Sequence, residues 1–335
     1  MIEALLAGDR RSLARAISEI EDDGSEARTL VARLYPHGGR AHVVGITGAP
    51  GTGKSTLVNA LARCYRTAGM TVGVIAVDPT SPFTGGALLG DRVRMRDLAG
   101  DPGVFVRSMA TRGSLGGLAR ATSNVILALD AAGFDRILVE TVGVGQAEVG
   151  IASTAHSTIV VEAPGMGDEM QAMKAGVLEI ADLLVVNKSD REGAAQAVMA
   201  LRMMQGLAQS SSGRHGHRAT DTPGMSTAPG WREDGGWLPP IVETVAVTGA
   251  GVEELRHWIE VHRDYNRSTG RSEARDKVQA ANVLDRVLCE LSLERLHATL
   301  TDEPIQQAIG QILERRSDPY AAAATLLQLA WPTQL

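Results

Sequence analysis

Lysine is almost missing from this chain. Among 33 Lys and Arg in 335 residues, only Lys54, Lys174, Lys188 and Lys277 are lysines; the other 29 are arginines. Such a chain keeps lysine where chemistry needs a compact ammonium on a flexible stem, where a planar guanidinium would not fit. Aromatic residues are also scarce, at 3%, which argues against stacking platforms for single-stranded nucleic acid. There is no basic excess: the formal net charge is −6, the wrong sign for non-specific binding to nucleic acid or anionic membranes. The two cysteines, Cys64 and Cys289, are too few and too far apart for a disulfide framework, and read as thiols of a reducing compartment. No apolar run reaches about 18 residues, so no membrane span is expected. The first ten residues lack a basic start followed by an apolar run, so no signal peptide is expected and the default location is cytoplasmic.

What is present is an ordinary globular composition, 44% hydrophobic and 21% charged. The length allows one large α/β domain with accessory helices, or two domains. Residues 2–35 carry apolar side chains at helical spacing (Leu5, Leu6, Leu13, Ile17, Ile20, Leu30, Leu34), with Asp9 as an N-cap. From residue 41 the period changes. Short β-branched runs at 41–47, 71–77, 136–140, 157–161, 183–186 and 241–247 read as strands. Helical stretches at 114–132, 169–180, 191–205 and 251–264 separate most of them. Strands apolar on both faces that alternate with helices predict a parallel sheet wrapped on both sides. The expected organisation is a helical extension over 1–40, an α/β domain over 41–268 and a helical segment over 269–335. Residues 206–236, rich in Ser, Gly, Thr and Pro, read as a flexible insertion.

Three segments carry chemistry. Gly48, Ala49, Pro50, Gly51, Thr52, Gly53, Lys54 and Ser55 fit the phosphate-loop pattern, between a predicted strand and a predicted helix that continues through Thr56. In that context backbone N–H groups surround a β-phosphate, Lys54 reaches the β/γ oxygens and the Ser55 hydroxyl ligates Mg²⁺. Asn187-Lys188-Ser189-Asp190 follows an apolar strand; a carboxylate at Asp190 accepts from guanine N1–H and N2–H, which selects GTP over ATP. Asn187 is expected to tie that loop to the phosphate loop, and the Lys188 stem to cover the base. Between them, Glu140 at a strand end can hold Mg²⁺ through water, the Gly143 N–H can sense a γ-phosphate, and Gln146 can orient the attacking water or serve structure alone. The Gly- and Thr-rich stretch from Asp78 to Asp91 has the look of a switch loop with a carboxylate at each end.

The strings GITGAPGTGKSTL, VIAVDPTSPFTGGALLGDRVRM, GFDRILVETVGVGQAEV and EAPGMGDEMQAMKAGVLEIADLLVVNKSD together closely resemble the MeaB/ArgK family of P-loop GTPases, which includes the methylmalonic aciduria type A protein. The resemblance covers nearly the whole chain. It implies a GTP/GDP-binding, Mg²⁺-dependent GTPase that acts as chaperone of an adenosylcobalamin-dependent acyl-CoA mutase, typically methylmalonyl-CoA mutase. In that family the GTP cycle gates cofactor delivery and protects the mutase from inactivation. It also implies a homodimer built through the C-terminal helices. By motif position, Asp78, Asp91 and Glu140 become the carboxylates around Mg²⁺ and the nucleophilic water, and Lys174 a charge brought to the phosphates when the partner binds. Three departures stand out. The base-side loop, which includes Val247, reads Val245-Ala246 where Ser-Ala is usual, leaving the Ala246 N–H as the base contact. His156 replaces a common Asp, and the 206–236 insertion is longer than the usual connector. Two other classes are open to such a sequence: a nickel metallochaperone GTPase, for which only His215 and His217 offer ligands, and a kinase of amino-acid transport proteins, which requires ATP.

Overall fold

The computed structural model describes residues 1–22, 24–79, 98, 100–111, 115–141, 154–165, 180–212, 230–231 and 236–330. The chain forms two compact units, Met1–Thr269 and Gly270–Leu335.

In the first unit the expected N-terminal helical stretch is three helices, α1 (Ile2–Leu6), α2 (Arg10–Asp22) and α3 (Ser25–Leu34), followed by a 3₁₀ turn over Tyr35–His37. Asp9 does cap α2: its Oδ2 accepts the Ser12 N–H at 2.8 Å. Leu5, Leu13, Ile17, Ile20, Leu30 and Leu34 are all buried, as their spacing predicts.

Strands β1 (His42–Thr47), β2 (Val72–Pro79), β3 (Val104–Thr111), β4 (Arg136–Thr141), β5 (Ser157–Glu162) and β6 (Leu183–Asn187) join a later strand (Ile241–Thr244) in a seven-stranded sheet. With the short antiparallel ribbon β7 (Gly230–Trp231) and β8 (Trp237–Leu238) counted first, that later strand is β9. The sheet order is β3-β2-β4-β1-β5-β6-β9, and every pair is parallel. One face packs on α4 (Lys54–Thr67) and α7 (Val252–Ser268) through Val44, Ile46, Leu57, Leu61, Leu138 and Leu255. The other packs on α2, α3 and α5 (Leu115–Ala131) through Val43, Ile75, Val77 and Val139, and on α6 (Ala194–Ser212) through Val160, Leu184 and Val186. This is the parallel sheet wrapped by helices that the buried strands call for.

Three details differ from the sequence expectation. β3 is an additional edge strand, held by α2: the Arg107 guanidinium is paired with Glu21. β9 stops at Thr244 because Val245 turns back, its N–H donating to Ala250 O at 2.9 Å. The segment expected to be a flexible insertion from residue 206 is helical as far as Ser212, since α6 continues into it. The predicted helix over 169–180 lies outside the described residues except for its last position.

The second unit consists of α8 (Arg271–Thr299), α9 (Asp302–Leu313) and α10 (Pro319–Ala330). No residue of α8 is buried, although Leu284, Leu288 and Leu291 form an apolar stripe at i, i+4 and i+7.

Candidate nucleotide-binding site

The site sits at the carboxyl ends of the central strands, where open parallel sheets place their ligands. The loop from β1 to α4 turns on glycines that no other residue can replace. Gly48 has φ +143°, and a Cβ there would lie 2.1 Å from Val161 O on β5. At Gly53, the N-cap of α4 with φ +92°, a Cβ would lie 2.5 Å from Asn187 Nδ2. The Thr52 hydroxyl, fully buried, donates to Ala49 O at 2.9 Å and closes the loop on itself.

Lys54 begins α4. Its buried ammonium donates to Gly48 O at 2.7 Å and Ala49 O at 2.9 Å, so the loop holds its own cation over the helix N-terminus. Next to it the Ser55 hydroxyl donates to Glu140 Oε1 at 2.6 Å. Register accounts for this pair: Glu140 lies opposite Ile46 on β1 and Ala76 on β2, at the carboxyl end of β4. A cavity of about 400 Å³ opens here, lined among others by Pro50, Gly51, Thr56, Val77 and Thr141. An ammonium, a hydroxyl and a carboxylate at one helix N-terminus fit a phosphate chain with a hard, oxygen-seeking cation. Thus Ser55 and Glu140 suit Mg²⁺. Asp78 is the penultimate residue of β2, opposite Ala110, but its side chain lies outside the described residues, as do Asp91, Gly143, Gln146, Lys174, His215 and His217 altogether.

Asn187, the last residue of β6, joins the phosphate side to the base side. Its Nδ2 donates to Thr52 O at 2.8 Å, while its Oδ1 accepts from Thr244 Oγ1 at 3.2 Å and from the Ala246 N–H at 3.1 Å. The expected tie to the phosphate loop is therefore present. The Ala246 N–H, expected to face a base, is instead directed at Asn187. Lys188 adopts φ +58°, uncommon for a side-chain-bearing residue, and its ammonium reaches Gly51 O at 2.5 Å. Its stem thus spans the gap between the two loops. Asp190 is exposed beyond it, as is Val247. Thr244 was not singled out from sequence; its signal is a hydroxyl-bearing residue at a strand end paired with Asn187 in the β6/β9 register.

A parallel sheet with this loop, this lysine and this strand-end carboxylate defines a P-loop nucleotide-binding protein. The family described as methylmalonyl-CoA mutase-associated GTPase MeaB matches residues 13–301. The chain belongs to that family of GTPases. A relative from Pyrococcus horikoshii is 45% identical over 328 residues, covering 98% of this chain and 96% of its own length. The GTPase ArgK of Escherichia coli is 35% identical over 262 residues, 77% of this chain and 73% of its own. A crystal structure of a LAO/AO transport system kinase superposes with a TM-score of 0.66 at 25% identity, covering 98% of this chain and 95% of that one.

Proposed function

We propose that this chain binds GTP with Mg²⁺ between the Lys54 loop and the Asn187–Asp190 loop and hydrolyses it to GDP and phosphate. Coupling of that cycle to an adenosylcobalamin-dependent acyl-CoA mutase, most simply methylmalonyl-CoA mutase, would gate cofactor delivery and protect the mutase from inactivation. The observation that carries the reading is the Asn187 carboxamide, which binds Thr52 O on the phosphate side and the Ala246 N–H on the base side. One buried amide thereby aligns both ends of a nucleotide. The family description names the mutase association and supports the partner class.

Each residue has a defined task. Lys54 leaves its carbonyl acceptors for the β- and γ-phosphate oxygens, and Asp190 accepts from the guanine N1–H and N2–H. Ser55 and Glu140 hold Mg²⁺, with Asp78 and Asp91 as further carboxylates. Bound there, Mg²⁺ neutralises charge on the phosphate oxygens. Gln146 orients the water that attacks the γ-phosphorus as its bond to the bridging oxygen breaks. Gly143 reports the γ-phosphate through its N–H. Lys174 reaches the phosphates when the mutase binds.

The test mixes the chain with a mutase of this class and follows phosphate release and mutase inactivation. Hydrolysis that is slow alone and faster with the mutase is expected. Unchanged rates in both assays overturn the partner assignment. Lys174→Arg is expected to spare GDP binding and to lower the stimulated rate; full stimulation in that variant removes Lys174 from the mechanism.

A further inference from the structure

At the opposite end of the sheet from the candidate nucleotide site lies a buried polar chain that the proposed cycle does not use. His42 opens β1 and Ser157 opens β5. His42 Nε2 lies 2.9 Å from Ser157 Oγ, which lies 2.7 Å from His262 Nδ1 on α7. His262 Nε2 continues to Asp182 Oδ1 at 3.3 Å, with the Asn266 amide at 3.1 Å from the same nitrogen. Ser157 is fully buried, and His42 and His262 nearly so. His156 stacks on His42 with centroids 5.3 Å apart, and its Nδ1 accepts the Val43 N–H at 2.9 Å.

With both rings neutral, the Asn266 amide sets the direction of the chain. His262 Nε2 accepts from the Asn266 amide, so its Nδ1–H donates to Ser157 Oγ, whose hydroxyl donates to His42 Nε2. A proton added to His42 Nε2 leaves the Ser157 hydroxyl without its acceptor and turns two donors toward each other. A proton added to His156 Nδ1 breaks its bond to Val43.

The neighbours offer little compensation. Arg136 of β4 and Arg263 of α7 add positive charge, and both bind Glu260, at 2.7 and 2.5 Å. Arg136 also lies over the Tyr65 ring of α4. Asp130 of α5 spends its carboxylate on the backbone N–H groups of Gly39, Arg40 and Ala41. Among these carboxylates only Asp182 faces a ring. Burial, and then His156, Arg136, His262 and Arg263, hold His42 well below the ordinary imidazole value of 6.5. The folded chain therefore binds fewer protons than the unfolded one below that pH, and stability falls as pH drops through and under 6.5.

α7 carries this chain, and it starts at Val252, directly after the Val245–Gly251 turn that meets Asn187. We propose that His42–Ser157–His262–Asp182 is a proton-operated latch. At neutral pH it pins α7 to the sheet and keeps the base-side turn seated; acidification releases both and weakens nucleotide binding. The nucleotide arm of this proposal rests on the reading of the pocket as a guanine-nucleotide site.

The experiment titrates the whole chain with fluorescent mant-GDP and Mg²⁺ at pH 7.5 and 5.5. It compares wild type, the His42→Gln/His262→Gln double variant and Ser157→Ala. Protonation of the nucleotide's own phosphates is common to all three. One linked proton is worth about tenfold per pH unit, so wild type is expected to lose about tenfold more affinity than the double variant. Ser157→Ala keeps both rings and is expected to bind several-fold more weakly at pH 7.5 with a smaller pH dependence. Equal pH dependence in all folded forms overturns the latch. If mant-GDP fails to bind wild type at pH 7.5, the nucleotide reading fails. The latch is then judged on Trp237, whose ring lies 4.7 Å from His262, and on melting temperature. Fluorescence and melting that do not change between pH 7.5 and 5.5 in wild type overturn it.

Discussion

Lys54 holds two carbonyls of its own loop, so its ammonium is desolvated and fixed at the N-terminus of α4, where a phosphate chain would lie. Hydrogen bonds to charged groups are worth about 1.5–3 kcal/mol, so Lys54→Ala is expected to weaken GTP binding by roughly 10- to 100-fold, as calorimetry would read. Asn187→Ala removes the acceptor of Thr244 and Ala246 and the donor to Thr52 together. It should cost about 1–3 kcal/mol of stability and also weaken GDP, checked by urea midpoint and by titration. Lys54 and Ser55 were legible in sequence because phosphate recognition uses contiguous residues with an obligatory backbone shape. The direct Ser55–Glu140 bond and the role of Thr244 were not, because both arise from strand register, which local sequence does not encode. The Ala246 N–H was placed correctly in the chain but not in space, since the Asn187 amide takes it.

Elements position these residues with little slack. The loop after β1 passes so close to β5 that Gly48→Ala forces a Cβ to within 2.1 Å of the Val161 carbonyl at a φ disfavoured for alanine. That substitution is expected to cost on the order of 2–4 kcal/mol, lowering the melting temperature by several degrees and weakening nucleotide binding. The central strands were legible as unbroken apolar runs, the mark of strands covered on both faces. β3 escaped that criterion because Arg107 and Ser108 interrupt it, and an edge strand can carry an arginine to a neighbouring helix. The end of α6 was missed for a related reason. Ser210–Ser212 are weak helix formers, and composition there resembles a loop although the helix continues.

At the scale of the molecule, the second unit leaves Leu284, Leu288, Leu313 and Tyr320 between about half and nine-tenths exposed in a single chain. We propose that a second copy covers the α8 stripe, as the family resemblance implies, and Leu284→Glu with Leu288→Glu is expected to yield monomers by sedimentation. A dimer that survives both changes removes α8 from the interface. Guanine recognition through Asp190 beside the phosphate loop is the step on which the proposed function turns. It is tested most directly by calorimetric titration of GDP and ADP, each with Mg²⁺, into wild type and Asp190→Ala. Two charge-assisted bonds to the base predict that GDP binds wild type at least about 100-fold more tightly than ADP, and that the variant loses most of that preference. ADP binding wild type as tightly as GDP would rule out guanine recognition by Asp190.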